Sequence, residues 1–392
     1  MKILHITPSY KPAFIYGGTT VSVSKLCESL AAIGNEVTVI TTTANGKTEL
    51  PEKSTKPVDI DGVKVYYFNR LTKDHTHFSP DLLRYLWKNM RNYEIIHIHS
   101  WWNLVAVFAV LLCWLRGVKP ILAPRGMLSS YSFEHENSLK KKFIHKTIGH
   151  FLLTKTVLHA TATAELKEGQ ELIKGWQGFV LPNILPLPTK ILEVSAKKGS
   201  NKLNFLFLSR IDHKKGIEFM FEALADLTKK LQNNNNKFNY EFVIVGSYEN
   251  DYLQELQNLA TKLQISQNIV WTGRIEGNQR FQYYADADVF VLLSHNENFA
   301  NVVIEALSQG TPVFISDKVG LADYVEKENF GEITSLNSIE ITEKLLKLIN
   351  NQGKREIIRK IAPQKIQKDF DTIILAQEYV IMYGKIVMTK NI

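Results

Sequence analysis

Four residues in the second half of the chain have the types and order needed to grip a phosphorylated ligand: Arg210, Lys215, Glu297 and Glu305. The two cations stand in Arg210-Ile211-Asp212-His213-Lys214-Lys215-Gly216, and each can offset one negative charge of a diphosphate. Alone, that run reads equally well as a solvated basic turn. The two acids bracket Asn298-Phe299-Ala300-Asn301-Val302-Val303-Ile304. Glu297 reads as loop and Glu305 as helix, and eight residues of helix rise about 12 Å. That exceeds the roughly 5–9.5 Å of a glycosidase acid/base pair, so the acids read as two separate acceptors on one long ligand. Between them, the N–H groups near Ala300, Asn301 and Val302 open a helix, whose N-terminus suits a phosphate. Carboxylate, anion site and carboxylate in a row suit a sugar, a diphosphate and a ribose; the plain alternative is a solvated helix start.

These residues need a scaffold, and the apolar pattern supplies one. The run Val289-Phe290-Val291-Leu292-Leu293 reads as a buried strand, Val302 to Leu307 as a helix ending at Gly310, and Thr311 to Ser316 as the next strand. Asn204 to Ser209 is a strand placing Arg210 at its carboxyl end, and Glu241 to Gly246 and Asn268 to Trp271 are two more. The first half repeats the pattern. Strand Lys2 to Ile6, Gly17-Gly18, a helix with Val21, Leu26, Leu30 and Ile33 inward, and strand Glu36 to Thr42 make a βαβ unit. Asp61-Gly62 reads as a hairpin turn. Open α/β sheets bind ligands at the carboxyl ends of their strands. In the first half those ends carry His99, Trp101 and Arg125. The spacing predicts that Ser100-Trp101-Trp102-Asn103 projects into the ligand cleft, whereas His97 reads as a packed strand residue. Arg125 can hold a phosphate or a sugar hydroxyl bidentately, or pair a buried carboxylate.

Residues 139–155 form a basic amphipathic segment. Phe143, Ile144, Ile148, Phe151 and Leu152 share one face and Lys140, Lys141, Lys142, Lys146 and Lys155 crowd the rest. Such a helix either lies on an anionic membrane or turns its apolar face into the core.

The bounds agree with a globular protein of two domains. There are 392 residues, 45% hydrophobic and 22% charged, as in a globular protein. The net charge of +8 favours phosphorylated ligands or an anionic surface; nucleic acid is not expected. Cys27 and Cys113 offer neither a disulfide framework nor a metal cluster, which implies a reducing compartment. The start carries no secretory pattern, and the most apolar run, 101–115, is too short to span a bilayer. An asparagine run at 233–236 reads as a polar loop insert.

The stretch Glu297-Asn298-Phe299-Ala300-Asn301-Val302-Val303-Ile304-Glu305 resembles the E-x7-E signature of the retaining GT-B glycosyltransferases of family 4. Arg210 to Gly216 resembles that family's R-x4-K-G motif, and Pro124-Arg125-Gly126-Met127-Leu128 resembles a variant found in its polysaccharide-assembly members. Many relatives carry His where Arg125 stands, and Gly where Ala300 stands, which puts a methyl at the sugar end of the pocket. The resemblance implies an α/β, GT-B fold: two Rossmann-like domains facing a central cleft, with a C-terminal helix, about 363–383, crossing back to the first. The implied domains are 1–188 for the acceptor, 189–365 for the nucleotide sugar, and 366–392 for the returning helix. Carried over, Arg210 and Lys215 bind the donor diphosphate and stabilise the leaving nucleotide, and Glu297 orients the sugar. Glu305 holds the ribose. Gly17, Gly18, Gly273, Arg274, Ile275, Phe299, Ala300, Asn301 and Val302 line the donor. His99, Trp101 and Arg125 stand on the acceptor side. No metal or other cofactor is expected. The implied partners are a nucleotide-sugar donor and a glycan or lipid-linked acceptor. The implied location is cytoplasmic, or peripheral on the inner face of the membrane. Rivals are a nucleotide-sugar epimerase or hydrolase of the same fold, and a non-catalytic nucleotide-sugar binding subunit.

Overall fold

The computed structural model describes all residues except 52–55, 135–137, 196–201, 234–237, 249, 276 and 390–392. The asparagine run therefore lies, beyond Asn233, outside the described residues. Two compact α/β units result. The first comprises Met1–Pro186 and Phe370–Ile392, the second Leu187–Asp369.

In the first unit an eight-stranded sheet runs in the order Gly178–Val180, Val157–Ala160, Ile121–Ala123, Ile95–His99, Lys2–Ile6, Glu36–Thr42, Val63–Phe68 and Val58–Ile60. Every pairing is parallel except the last, the hairpin that turns at Asp61-Gly62. Parallel strands are covered on both faces. Accordingly Leu4, Ile6, Ile40, Ile96, Ile98 and Leu122 are all buried in one core with Leu82, Val105, Ala109 and Leu152 from flanking helices. The second unit is a six-stranded parallel sheet, ordered Ile269–Gly273, Tyr240–Val245, Leu203–Leu208, Val289–Leu292, Val313–Ser316 and Gly331–Thr334.

The end of the chain differs from expectation in detail. Pro363 does not open the last helix; it lies inside one, Gln352–Asp369. The break comes at Phe370-Asp371, because the Asp371 carboxylate accepts from the N–H groups of Ile373 and Ile374, both at 2.9 Å, and so starts a new helix, Thr372–Thr389. That helix belongs to the first unit, as the fold class required.

Two further expectations fail for physical reasons. Ser100 is left-handed, at φ +72°, and turns the chain so that Trp101 packs fully buried in the core instead of projecting outward. Asn103 caps the next helix, Leu104–Leu115, by accepting from Ala106 N–H at 2.8 Å. The basic segment is not a single α-helix with its apolar face in the core. It runs as Ser138–Ile144, a π-helical turn His145–Gly149 and His150–Leu153. Leu139, Phe143, Ile144, Ile148 and Phe151 are exposed, Leu139 by 81% and Phe143 by 69%; only Leu152 and Leu153 turn inward. No helix among the described residues is long and apolar enough to cross a membrane.

Candidate active site

In the second unit the site residues cluster where parallel strands end. Arg210 follows Leu203–Leu208 with its side chain 70% exposed and its Nε 3.7 Å from the Asp212 carboxylate. Asp212 in turn accepts from Lys214 N–H at 2.9 Å, which folds His213–Lys215 into one tight turn. Gly216 then takes φ +61°, where a Cβ would collide with the Leu293 carbonyl oxygen, so only glycine fits. This geometry turns Lys215 toward the neighbouring strand's exit loop, and its ammonium ion-pairs with the Glu297 carboxylate. Both side chains are mostly buried. Lys214 lies beside them, and burial pulls its ammonium below the ordinary lysine range.

Glu297 is not part of the helix. Its N–H donates to Lys318 C=O at 2.9 Å and its C=O accepts from Gly320 N–H at 2.8 Å, so two bonds fix it to the loop after Val313–Ser316. The helix, Asn301–Ser308, begins four residues later with Ala300 as its left-handed cap, φ +65° and ψ +69°. The rise of a continuous helix therefore does not separate the two acids. Phe299 and Ala300 are buried, so neither offers its side chain to solvent, while Asn301 and Val302 are half-buried in the first turn. That turn carries no acidic residue and no side-chain cap.

Glu305 sits inside this helix, buried, with both oxygens engaged. Arg280 Nε and Nη2 approach Oε1 at 3.2 and 3.1 Å, and the Tyr284 hydroxyl donates to Oε2 at 3.1 Å. Burial first, and the Glu305 charge second, hold the Tyr284 phenol well above its usual range. A carboxylate has about four acceptor sites, so Glu305 keeps capacity for one more donor. Sequence reasoning missed Arg280 and Tyr284. Their four-residue spacing on the helix Arg280–Asp286 was visible, but nothing local tied it to Glu305. Gly273, at φ +71°, ends the edge strand and its carbonyl accepts from Gly246 N–H at 2.9 Å. Arg274 beyond it is exposed and Ile275 half-buried.

In the first unit Gly17 takes φ +68° and ψ −139°, a conformation nearly restricted to glycine, and delivers Gly18 to the head of the helix Gly18–Ala32. Arg125 follows Ile121–Ala123 in a left-handed turn, φ +58°. One guanidinium nitrogen contacts the Asn183 side-chain oxygen and, at 3.4 Å, Ser22 Oγ; the other lies 3.4 Å from His99 Nδ1. His99 is fully buried, so its ring presents nothing to solvent.

Behind Arg125 lies a feature that sequence reasoning did not assemble. His5, His97, His99 and His159, all fully buried, come from three strands. His5 Nδ1 is 2.9 Å from His99 Nε2, and His97 Nε2 is 3.2 Å from His159 Nδ1. The Tyr383 hydroxyl is 2.8 Å from His97 and the Tyr379 hydroxyl 3.1 Å from His159. Burial, then the Arg125 charge, hold His5 and His159 down at about 3. His97 and His99 are also held well below the ordinary imidazole range, chiefly by burial. Three of these rings are close enough to share a cation. Their nitrogens are mostly engaged with one another and with tyrosine hydroxyls beside a guanidinium, and His5 Nε2 is buried with no hydrogen-bond partner.

Two parallel-sheet units of this kind define the GT-B fold. HepE of Anabaena, solved in complex with UDP and glucose, superposes with a TM-score of 0.73 at 19% identity, covering 98% of this chain and 100% of that one. Residues 16–168 match the profile of Glycosyltransferase Family 4, and residues 190–365 that of Glycosyl transferases group 1. The chain is a family 4-like glycosyltransferase of the GT-B class. An uncharacterized glycosyltransferase of Methanocaldococcus jannaschii is 26% identical over 98% of both chains. A capsular polysaccharide biosynthesis glycosyltransferase of Staphylococcus aureus is 27% identical over 45% of each.

Proposed function

We propose that this enzyme moves a sugar from a nucleotide-sugar donor to a hydroxyl of a glycan or lipid-linked saccharide, with retention at the anomeric carbon, in cell-surface polysaccharide synthesis. The observation that carries this reading is the grouping of Arg210, Lys215 and Glu297 at the strand ends of one unit, with Glu305 four residues into the adjoining helix. The donor diphosphate lies on Lys215, Arg210 and the first turn of Asn301–Ser308, whose partial positive charge adds to theirs. Glu297 takes sugar hydroxyls and Glu305 the ribose. The bond from the anomeric carbon to the diphosphate breaks, and the acceptor oxygen bonds to the same face. The acceptor proton passes to the leaving phosphate oxygen, and fixed cations stabilise the departing charge. The complex of HepE with UDP and glucose supports a nucleotide-sugar donor, and the capsular relative supports a polysaccharide product. The exposed apolar face at Phe143, Ile144, Ile148 and Phe151, ringed by Lys140, Lys142 and Lys146, supports docking on an anionic membrane, on its inner face.

A panel of UDP-, GDP- and ADP-sugars tests this. One donor should raise the melting temperature and release nucleotide slowly, faster when an acceptor is supplied. The protein should co-sediment with phosphatidylglycerol vesicles. If no donor or free nucleoside diphosphate stabilises the protein, the roles of Arg210, Lys215 and Glu305 fall.

A further inference from the structure

Arg125 carries a charge that no acid answers. Among the described residues, its contacts are Ser22, Asn183 and His99, all neutral. The carboxylate whose field reaches it is Glu165. That group spends Oε1 on Gly126 N–H at 2.8 Å, and Oε2 on Thr161 N–H at 2.7 Å and its hydroxyl at 3.2 Å. Arg125 Nε is buried with no hydrogen-bond partner. Behind the guanidinium stand buried imidazoles, which offer it no negative charge. The residue as a whole is half-buried.

The helix Gly18–Ala32 adds to this field. Ser22, which touches Arg125, lies near its positive end, where the first turn holds no acidic residue and Gly17 has no side chain to cap it. Withdrawing a cation from water without an opposing charge is unfavourable. Binding a sugar hydroxyl would not require it, because Ser, Asn or His would serve. An oxyanion is the ligand that returns the cost, through paired charge-assisted bonds to the guanidinium fork.

We propose that Arg125 is the receptor for an oxyanion, a phosphate or a carboxylate, carried by the acceptor. The acceptor is then a phosphate-linked saccharide or an acidic glycan, not a neutral sugar. This rests on the glycosyl-transfer reading for the word acceptor, whereas the anion site itself does not.

The test uses the full chain, saturated with the nucleoside diphosphate that stabilises it best, then titrated with inorganic pyrophosphate and, separately, with glucuronate. Binding is followed by calorimetry and thermal shift. Wild type should bind at least one probe, Arg125→Gln should bind it about tenfold more weakly or worse, and Arg125→Lys should fall between. Preference for pyrophosphate marks a phosphate-linked acceptor, and preference for glucuronate an acidic glycan. Without ligand, Arg125→Gln should be at least as stable as wild type, since it removes an unanswered charge. Equal probe binding in wild type and Arg125→Gln, or no binding at all, overturns the proposal. So does a fall of more than about 5 °C in unliganded Arg125→Gln, which would make Arg125 a packing residue. Stabilisation by nucleoside diphosphate, read in the same series, should survive Arg125→Gln and vanish in Lys215→Ala. Its absence throughout would sink the donor reading and leave the Arg125 result standing.

Discussion

The two units place charge at their strand ends in opposite ways. In the second, each acid of the site has a cation against it: Glu297 has Lys215, Glu305 has Arg280, and Asp212 lies beside Arg210. In the first, Arg125 and four imidazoles stand together, and Glu165, the acid whose charge reaches Arg125, is turned away to backbone amides and the Thr161 hydroxyl. A self-neutralised site is stable when empty, and an incoming diphosphate must compete with Glu297 for Lys215. A site with one sign of charge waits for its partner. The difference teaches that the pairs of the second unit store the ligand's charge pattern in the resting protein, whereas the first leaves half of that pattern to the ligand.

The most damaging way to break this contrast is to remove Lys215. Lys215→Ala should lower turnover about a hundredfold or more, as loss of a preorganised charge at the leaving group does. It should also cost about 3 kcal/mol of stability, because Glu297 is left mostly buried without its partner. Adding Glu297→Gln should recover much of the stability and none of the activity, which urea titration and donor turnover separate.

Acid should find the first unit. Four of its histidines, His5, His97, His99 and His159, have folded-state values far below the unfolded value of about 6.5, so the unfolded chain binds more protons below that pH. Their contribution to stability is full above about pH 6.5 and is lost as pH falls, each ring by about 1.4 kcal/mol per unit. Limited proteolysis at pH 7.5 and 5.5, mapped by mass spectrometry, should show acid-induced cuts in Met1–Pro186 before Leu187–Asp369. Cuts appearing first in the second unit would contradict the histidine account.

The smallest effect sharpens the cap of Asn301–Ser308. A left-handed alanine is strained and a glycine is not. Ala300→Gly should therefore stabilise the protein by about 0.5–1 kcal/mol after the entropy cost of glycine. A lower melting temperature would mean that the methyl packs usefully.

The fold was legible because parallel strands covered on both faces read as short apolar runs, and the hairpin at Asp61-Gly62 and the glycines at 17 and 18 mark their turns locally. Within the second unit, Arg210, Lys215, Glu297 and Glu305 stood out because their order along the chain carries the resemblance. Their pairing did not, since Lys215 meets Glu297 only across a sequence separation of 82 residues. The histidine group was invisible for the same reason. His97 read correctly as a packed residue, but sheet register alone sets it beside His5. Trp101 misled because an aromatic at a strand end looks exposed until the φ of the preceding residue is known.

The helix Thr372–Thr389 has a consequence for biosynthesis. Tyr379 and Tyr383 complete the hydrogen bonding of His159 and His97, yet they leave the ribosome after every strand of both sheets. The second unit, continuous in sequence, can close while the nascent chain is still attached. The first must hold its imidazoles partly unsatisfied until Tyr379 and Tyr383 have emerged.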